Sequence, residues 1–351
     1  LSLARELNFK LDEANALREM GYALTNMGNY PRSLQTILSA IKIAEDPKSE
    51  QKILTGNYNE DALVNRNENA TNQRLSELAF IYDILGILYS NTNNYDKALM
   101  QYLKARQIAE QSGNVPLQSI INLTLSRAYL NLKKSDSALI SLEKAYEQSI
   151  KVDYTRYLGS ILLNMGIIYA SQGNKLLGVE YYKKALIASA YKNYYPRGVV
   201  AGNLRLADYY KQSGKQDSSF LYIKDALVVA HDLNAPELLR RSYTALADYY
   251  KTIGNNDSAV KYQSLIIKIN DNLFNSKQVQ QFQNIDYDAR QKQQEIEIAK
   301  KDYRDSFQKY LLLGGLAAVL FAAVCLWRTN WHRKKSNAML QHQNKEIESA
   351  L

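Results

Sequence analysis

A pattern that returns about every forty residues limits this chain more than any other feature. Gly86, Tyr89, Ala98, Tyr102 and Ala105 form one copy. Ser126, Tyr129, Ala138, Leu142 and Ala145 follow, then Gly166, Tyr169, Gly178, Tyr182 and Ala185. Two further copies run Ala207, Tyr210, Ser219, Ile223, Ala226 and Ala247, Tyr250, Ala259, Gln263, Ile266, the last with a decayed second half. An earlier one has Gly21, Leu24, Ser33, Ile37 and Ala40. Self-similarity at a fixed period marks a repeat architecture. Small residues recur where two helices must approach closely, and large apolar residues fill the space beside them.

Each copy also carries a break. Gly28, Gly173, Gly214 and Gly254 sit seven residues after the small residue. Glycine there supplies the left-handed conformation that ends a helix. Asn93 takes the place in one copy and tolerates the same conformation; Lys133 takes it in another and departs from the pattern. Asp96, Asp136, Asp217 and Asp257 come soon after, as residues suited to starting a helix. Only five prolines interrupt a chain rich in helix-forming residues. Each unit therefore reads as helix, tight turn, helix.

Leu85-Gly86 with Tyr89, followed by Ala98, Tyr102 and Ala105, resembles the tetratricopeptide repeat. The forty-residue period is longer than that family's usual length of about 34. The resemblance implies an all-α superhelix of about six helix-turn-helix units over residues 1–275. Ala4 precedes Gly21 by the same 17 residues that separate Ala230 from Ala247. Residues 1–10 are thus expected to be the end of a second helix, and the chain a fragment or processed product. Between Gly21 and Gly86 the spacing exceeds one period by some 25 residues. The excess falls in residues 46–76, rich in Asn, Glu, Asp and Lys, and reads as a polar loop or irregular insertion.

Tyr310–Trp327 holds 18 residues without a charge, bounded by Lys309 and Arg328. As a helix it would cover about 27 Å at 1.5 Å per residue, close to the ~30 Å hydrocarbon core of a bilayer. Lipid forces such a backbone to satisfy its own hydrogen bonds, hence a helix. Tyr310, Trp327 and Trp331 stand where aromatic side chains favour the interface. Gly314, Ala318 and Ala322 form a small-residue line that allows two such helices to pair.

Residues 276–309 read as one helix leading into this span. Phe282, Ala289, Ile296, Tyr303 and Tyr310 recur every seven residues. The companion seam of Val279, Asp286, Gln293, Lys300 and Phe307 is polar in its middle, whereas a coiled coil wants both seams apolar. A dimeric stalk and a helix packed on the last repeat both fit. Residues 328–351 hold Arg328, Arg333, Lys334 and Lys335 and then begin another helical pattern at Leu340, Asn344, Ile347 and Leu351.

The net charge of +9 is not one patch. Four of the cations follow the apolar span and suit anionic lipid headgroups; the remainder is spread over mixed-sign helices, which argues against a nucleic-acid surface. The single cysteine, Cys325, lies in the span, so no internal disulfide or thiolate metal site exists. The three histidines form no catalytic set: His231 ends a repeat helix, His332 joins the basic cluster, and His342 lacks the following acid of a phospho-accepting histidine. No phosphate-binding glycine loop or metal-ligand spacing is present. Neither an enzyme activity nor a cofactor is expected from these residues.

Binding remains. Repeat arrays present a concave face lined by the first helix of each unit. By the family resemblance, the lining positions fall three before, one after and four after the small residue. The charged candidates there are Asp83, Arg127, Asp208, Lys211, Asp248 and Lys251, beside Ile87, Ser90, Leu123, Leu130 and Thr244. They suit a protein or peptide partner, or form a solvated face. The family's Lys/Asn clamp for a terminal carboxylate is not matched.

Four cations flank the span on each side, Lys300, Lys301, Arg304 and Lys309 against Arg328, Arg333, Lys334 and Lys335, so charge alone does not orient it. The order of repeat array, helix, single span, basic cluster and LQHQNKEIESAL looks like the sensor half of bacterial tetratricopeptide-repeat sensor histidine kinases. That resemblance implies an array outside the inner membrane, a homodimer formed through the stalk and span, and a cytoplasmic kinase whose motifs these residues do not contain. A membrane-tethered scaffold and the sensor of a membrane-bound transcriptional regulator are the alternatives.

Overall fold

The computed structural model describes residues 1–53, 69–190, 195–273 and 276–350, without the side chains of residues 272–273, 276–277, 293, 317–318 and 342–350. The described residues are helical, with no strand. Contacts divide them into two compact units, Leu1–Ile285 and Asp286–Leu351.

Among the described residues six antiparallel hairpins build the first unit. They are α2 (Lys10–Asn26) with α3 (Tyr30–Glu45), α4 (Ala70–Asn91) with α5 (Tyr95–Ser112), and α6 (Val115–Asn131) with α7 (Ser135–Lys151). Then come α8 (Leu158–Ser171) with α9 (Lys175–Ala190), α10 (Pro196–Gln212) with α11 (Gln216–Asp232), and α12 (Pro236–Thr252) with α13 (Asn256–Leu273). A short α1 (Ser2–Glu6) precedes them.

All six hairpins turn in the same way. Gly28, Asn93, Lys133, Gly173, Gly214 and Gly254 have φ of 79, 60, 59, 94, 72 and 78°. The next residue then donates its N–H to a carbonyl five residues back, the six-to-one bond of a Schellman ending. Asn94, Lys134, Asn174, Lys215 and Asn255 bond in this way to the carbonyls of Tyr89, Tyr129, Tyr169, Tyr210 and Tyr250, at 2.8–3.0 Å. Asn29 does the same to Leu24. Lys133 adopts the left-handed geometry despite its Cβ, because the geometry belongs to the turn.

The aspartates act differently from the expectation. Asp96, Asp136, Asp217 and Asp257 stand inside the first turn of α5, α7, α11 and α13 and cap nothing. There a negative charge meets the positive end of the helix dipole. The side-chain caps are asparagines: Asn29, Asn174 and Asn255 accept from the N–H of Arg32, Leu177 and Ser258.

Close approach holds each hairpin together. A Cβ on Gly21 would lie 2.6 Å from Ile37, and one on Gly166 would lie 2.8 Å from the Tyr182 ring. On Gly86 it would run into the ring of Tyr102. Sixteen residues separate the partners each time. Twelve residues after the small residue, Ser33 and Ser219 donate hydroxyls to the carbonyls of Gly21 and Ala207, at 2.8 and 2.9 Å. In the last three hairpins tyrosines twelve residues apart also meet: Tyr169 with Tyr181, Tyr210 with Tyr222, and Tyr250 with Tyr262. The last two pairs stack within 6° of parallel, at 5.4 and 5.7 Å.

The expected insertion at 46–76 is shorter. Pro47–Glu50 is a 3₁₀ turn, and α4 begins at Ala70; residues 54–68 lie outside the described residues. The polar side chains of early α4 are internal partners. Glu77 forms a buried 2.7 Å ion pair with Arg18, and Arg74 pairs with Glu50. Composition reads such a stretch as loop because its polar groups are paired in the fold.

α14 runs Ser276–Ala350. Its start belongs to the first unit. Phe282 is buried and meets Tyr89 edge-to-face at 6.2 Å, with Ile285 beside the same core. At this point the helix packs on the second hairpin, not on the last repeat. In the second unit Tyr310–Trp327 is exposed wherever its side chains are described. Among the described residues this is one helix long and apolar enough to cross a membrane, with a mean hydropathy of 2.3 in its most apolar stretch.

Two glycines of similar helical setting should respond oppositely. Gly86→Ala is expected to cost about 1–3 kcal/mol through overpacking against Tyr102. Gly202→Ala, whose Cβ would meet Leu186 at an ordinary 3.6 Å, is expected to gain up to about 1 kcal/mol from helix propensity. Chemical denaturation of the two variants beside the parent chain measures both. Equal effects would contradict this account of the close approach.

Candidate functional site

The first helix of every hairpin contributes to one cavity of about 670 Å3. Tyr22 of α2, Ile87 of α4, Arg127 of α6, Asn164 of α8, Arg205 of α10 and Arg241 of α12 all line it. The cause lies in the repeat. Small residues turn one stripe of each first helix toward its own second helix, which leaves the adjacent stripe facing inward. The positions one and four after the small residue fall on that inner stripe in several units: Ile87, Ser90, Arg127, Leu130 and Ile167.

The structure sorts the six charged candidates. Arg127 lines the main cavity and hydrogen-bonds Tyr195. Asp208, Lys211 and Asp248 come together in a neighbouring cavity of about 250 Å3, where Lys211 Nζ lies 3.7 Å from Asp208 and 3.9 Å from Asp248. Lys251 is exposed and lines neither cavity. Asp83 corrects the expectation: it is fully buried and offers no surface to a partner. Thr124 Oγ1 donates to its Oδ1 at 2.5 Å, while Oδ2 has no partner among the described residues. In this unit and the next, the position three residues before the small residue belongs to the core, as Leu123 also shows. Gly314 and Ala322 lie on the exposed apolar helix, and the side chain of Ala318 lies outside the described residues.

Three arginines escaped the repeat pattern. Arg197, Arg205 and Arg241 line the main cavity from α10 and α12. The available signal was spacing of another kind: Arg197, Ala201 and Arg205 recur every four residues, one face of a helix. Among the described residues Glu237 is the lone carboxylate of the lining, and Arg240 holds it through bonds of 2.8 and 2.6 Å.

The charges leave their mark on ionisation. Burial, then the nearby Arg205, pulls the Arg241 guanidinium below its ordinary value, with Arg127 and Arg240 adding to the effect and Glu237 opposing it. Tyr30, also in the lining, is pushed up to about 12, by burial first and then by Glu237. Burial raises Asp83 to about 7, against the pull of Thr124, Arg127 and Arg18. Among the described residues no group of three His, Cys, Asp or Glu side chains could hold a metal ion.

Comparison with known proteins agrees with this architecture. Residues 77–151 match one tetratricopeptide-repeat model, and residues 159–190 and 241–273 match another. No curated protein matches the sequence. Apo RapI superposes with a TM-score of 0.55 at 16% identity, over 78% of this chain and 88% of its own. A Rap protein complexed with Competence and Sporulation Factor gives 0.51 at 13%, over 78% and 80%. Aspartyl phosphate phosphatase F from Bacillus subtilis gives 0.50 at 13%, over 74% and 60%. At these identities the likeness is one of fold. Residues 77–151, 159–190 and 241–273 thus carry tetratricopeptide repeats, within an all-helical superhelix among the described residues; repeats of this kind present surfaces for protein–protein interaction.

Asp83 sets a pH dependence. Its folded pKa lies above the ordinary value of 3.8, so the folded state holds a proton that the unfolded state has released. That contribution to stability is complete below about pH 4 and is lost as pH rises toward 7. Asp83→Asn should remove the loss, stabilising the chain relative to the parent on the order of 1–3 kcal/mol at pH 8 but not at pH 4. Denaturation at the two pH values checks it; an equal effect at both would contradict the assignment.

Proposed function

We propose that this chain is the sensing part of a membrane-anchored signal-transduction receptor. The repeat array lies outside the bacterial inner membrane and binds a protein or peptide in its inner cavity. The helix at Tyr310–Trp327 spans the membrane, and the basic cluster after it meets anionic lipid on the cytoplasmic side. The output is a histidine kinase, as the resemblance of the layout suggests, in residues this chain does not contain.

One observation carries the reading: a cavity walled by six first helices and an uncharged, exposed 18-residue helix occur in one chain. A Rap protein of similar fold has been crystallised complexed with Competence and Sporulation Factor, which supports a bound factor as the ligand class. Relay demands more than binding. A ligand shifts an equilibrium only by its unequal affinity for two arrangements, and a single span needs a partner copy to move against. The homodimer through residues 276–351 belongs to the proposal for that reason.

Thiol labelling in intact bacteria tests the arrangement. In a Cys325→Ser background, Lys301→Cys should react with a membrane-impermeant maleimide. Lys335→Cys should react only after the membrane is opened. The reverse pattern, or release of the chain from membranes by alkaline carbonate, contradicts the reading. A chain that stays monomeric in lipid nanodiscs would leave a tether and remove the relay.

A further inference from the structure

The main cavity is short of acids. Among the described residues Arg127, Lys133, Arg197, Arg205 and Arg241 line it against the single carboxylate of Glu237, which Arg240 already engages. No carboxylate among the described residues stands within 4 Å of Arg197, Arg205 or Arg241. Asn164, nearly fully buried in the same wall, has an Nδ2 donor without a partner. Buried donors normally find acceptors, and clustered guanidinium groups repel one another. Arg241 feels that repulsion from Arg205 and Arg127. Among the described residues, Arg197, Arg205 and Arg241 thus face the cavity without a carboxylate partner, and Asn164 Nδ2 without an acceptor.

The geometry points to an acidic peptide segment as the ligand of this cavity, its Asp and Glu side chains received by Arg127, Arg197, Arg205 and Arg241 and by Asn164 Nδ2. This deepens the proposed function and rests on its peptide-binding reading. Carboxylates only accept hydrogen bonds, and a guanidinium fork receives them in pairs. The size also suits a short segment: the 670 Å3 cavity falls within the ~300–1,000 Å3 of small-ligand sites and is too small for a folded domain. Aliphatic side chains lie between the cations, including Leu130, Leu163, Ile167 and Leu238. An acidic peptide matches both chemistries through alternating side chains. A nucleic-acid strand carries a charge on every unit and has no aliphatic side chains to meet those leucines and Ile167.

The test is selection of an mRNA-displayed library of random decamers on the full-length chain in nanodiscs. The targets are the parent, Arg205→Gln/Arg241→Gln, and Lys144→Gln on the outer helix α7. The parent and Lys144→Gln should enrich peptides rich in Asp and Glu interspersed with aliphatic residues. The double variant should lose that bias and bind the selected peptides about tenfold or more weakly. It should melt no lower than the parent, since it removes like-charge repulsion. Arg241→Lys, which keeps the charge and loses the fork, should also weaken binding. Enrichment without acidic bias, or bias that survives in the double variant, overturns the inference and leaves a peptide receptor. No enrichment over empty nanodiscs overturns both. Oligothymidylate that binds more tightly than the selected peptides, through the same arginines, overturns the inference in favour of nucleic acid.

Discussion

Everything in the array depends on how closely two helices approach across one small residue. At Gly86 a methyl group has no room beside the buried ring of Tyr102. Gly21 and Gly166 repeat that constraint against Ile37 and Tyr182. The contact fixes which stripe of the first helix faces its partner. The left-handed residue seven positions later fixes the reversal, and the carbonyl of the repeat tyrosine or Leu24 accepts the bond that closes it. Spacing in sequence thus becomes direction in space.

Stacking the hairpins then has a chemical consequence. The stripes used for packing are apolar, and they bury Leu142, Ile161, Ile168 and Leu206 completely. The inner stripe is spared that duty, so it can carry arginines, tyrosines and asparagines without disturbing the core. Their cost is electrostatic: like charges gathered around a partly enclosed space destabilise the unliganded chain. Perturbed ionisable groups of this kind concentrate at functional sites. The buried guanidinium of Arg18 is matched. It pairs with Glu77, and breaking such a pair costs about 3–5 kcal/mol.

The repeats and their turns were legible because they rest on local rules: small residues at fixed spacing and left-handed residues at fixed offsets. Even Lys133 obeyed, since the turn dictates φ once both helices are in place. Composition misreads early α4 as loop because Gln73 and Glu77 are polar yet buried, and Arg18, the partner of Glu77, lies far away in sequence. The docking of Phe282 on Tyr89 joins residues almost two hundred apart, and no periodicity encodes it. The site divided along the same line. Arg127 followed from its repeat position, whereas Asp83 sat one stripe too deep. Arg197, Arg205 and Arg241 occupy positions that only the winding of six hairpins brings together.

The central claim is that the inner wall, and not the outer helices, receives the ligand. Hydrogen–deuterium exchange of the full-length chain in nanodiscs, with and without a bound peptide, tests it most directly. The account predicts slowed exchange in α6, α8, α10 and α12, with α5, α7, α9 and α11 little changed. Protection confined to those outer helices would contradict it.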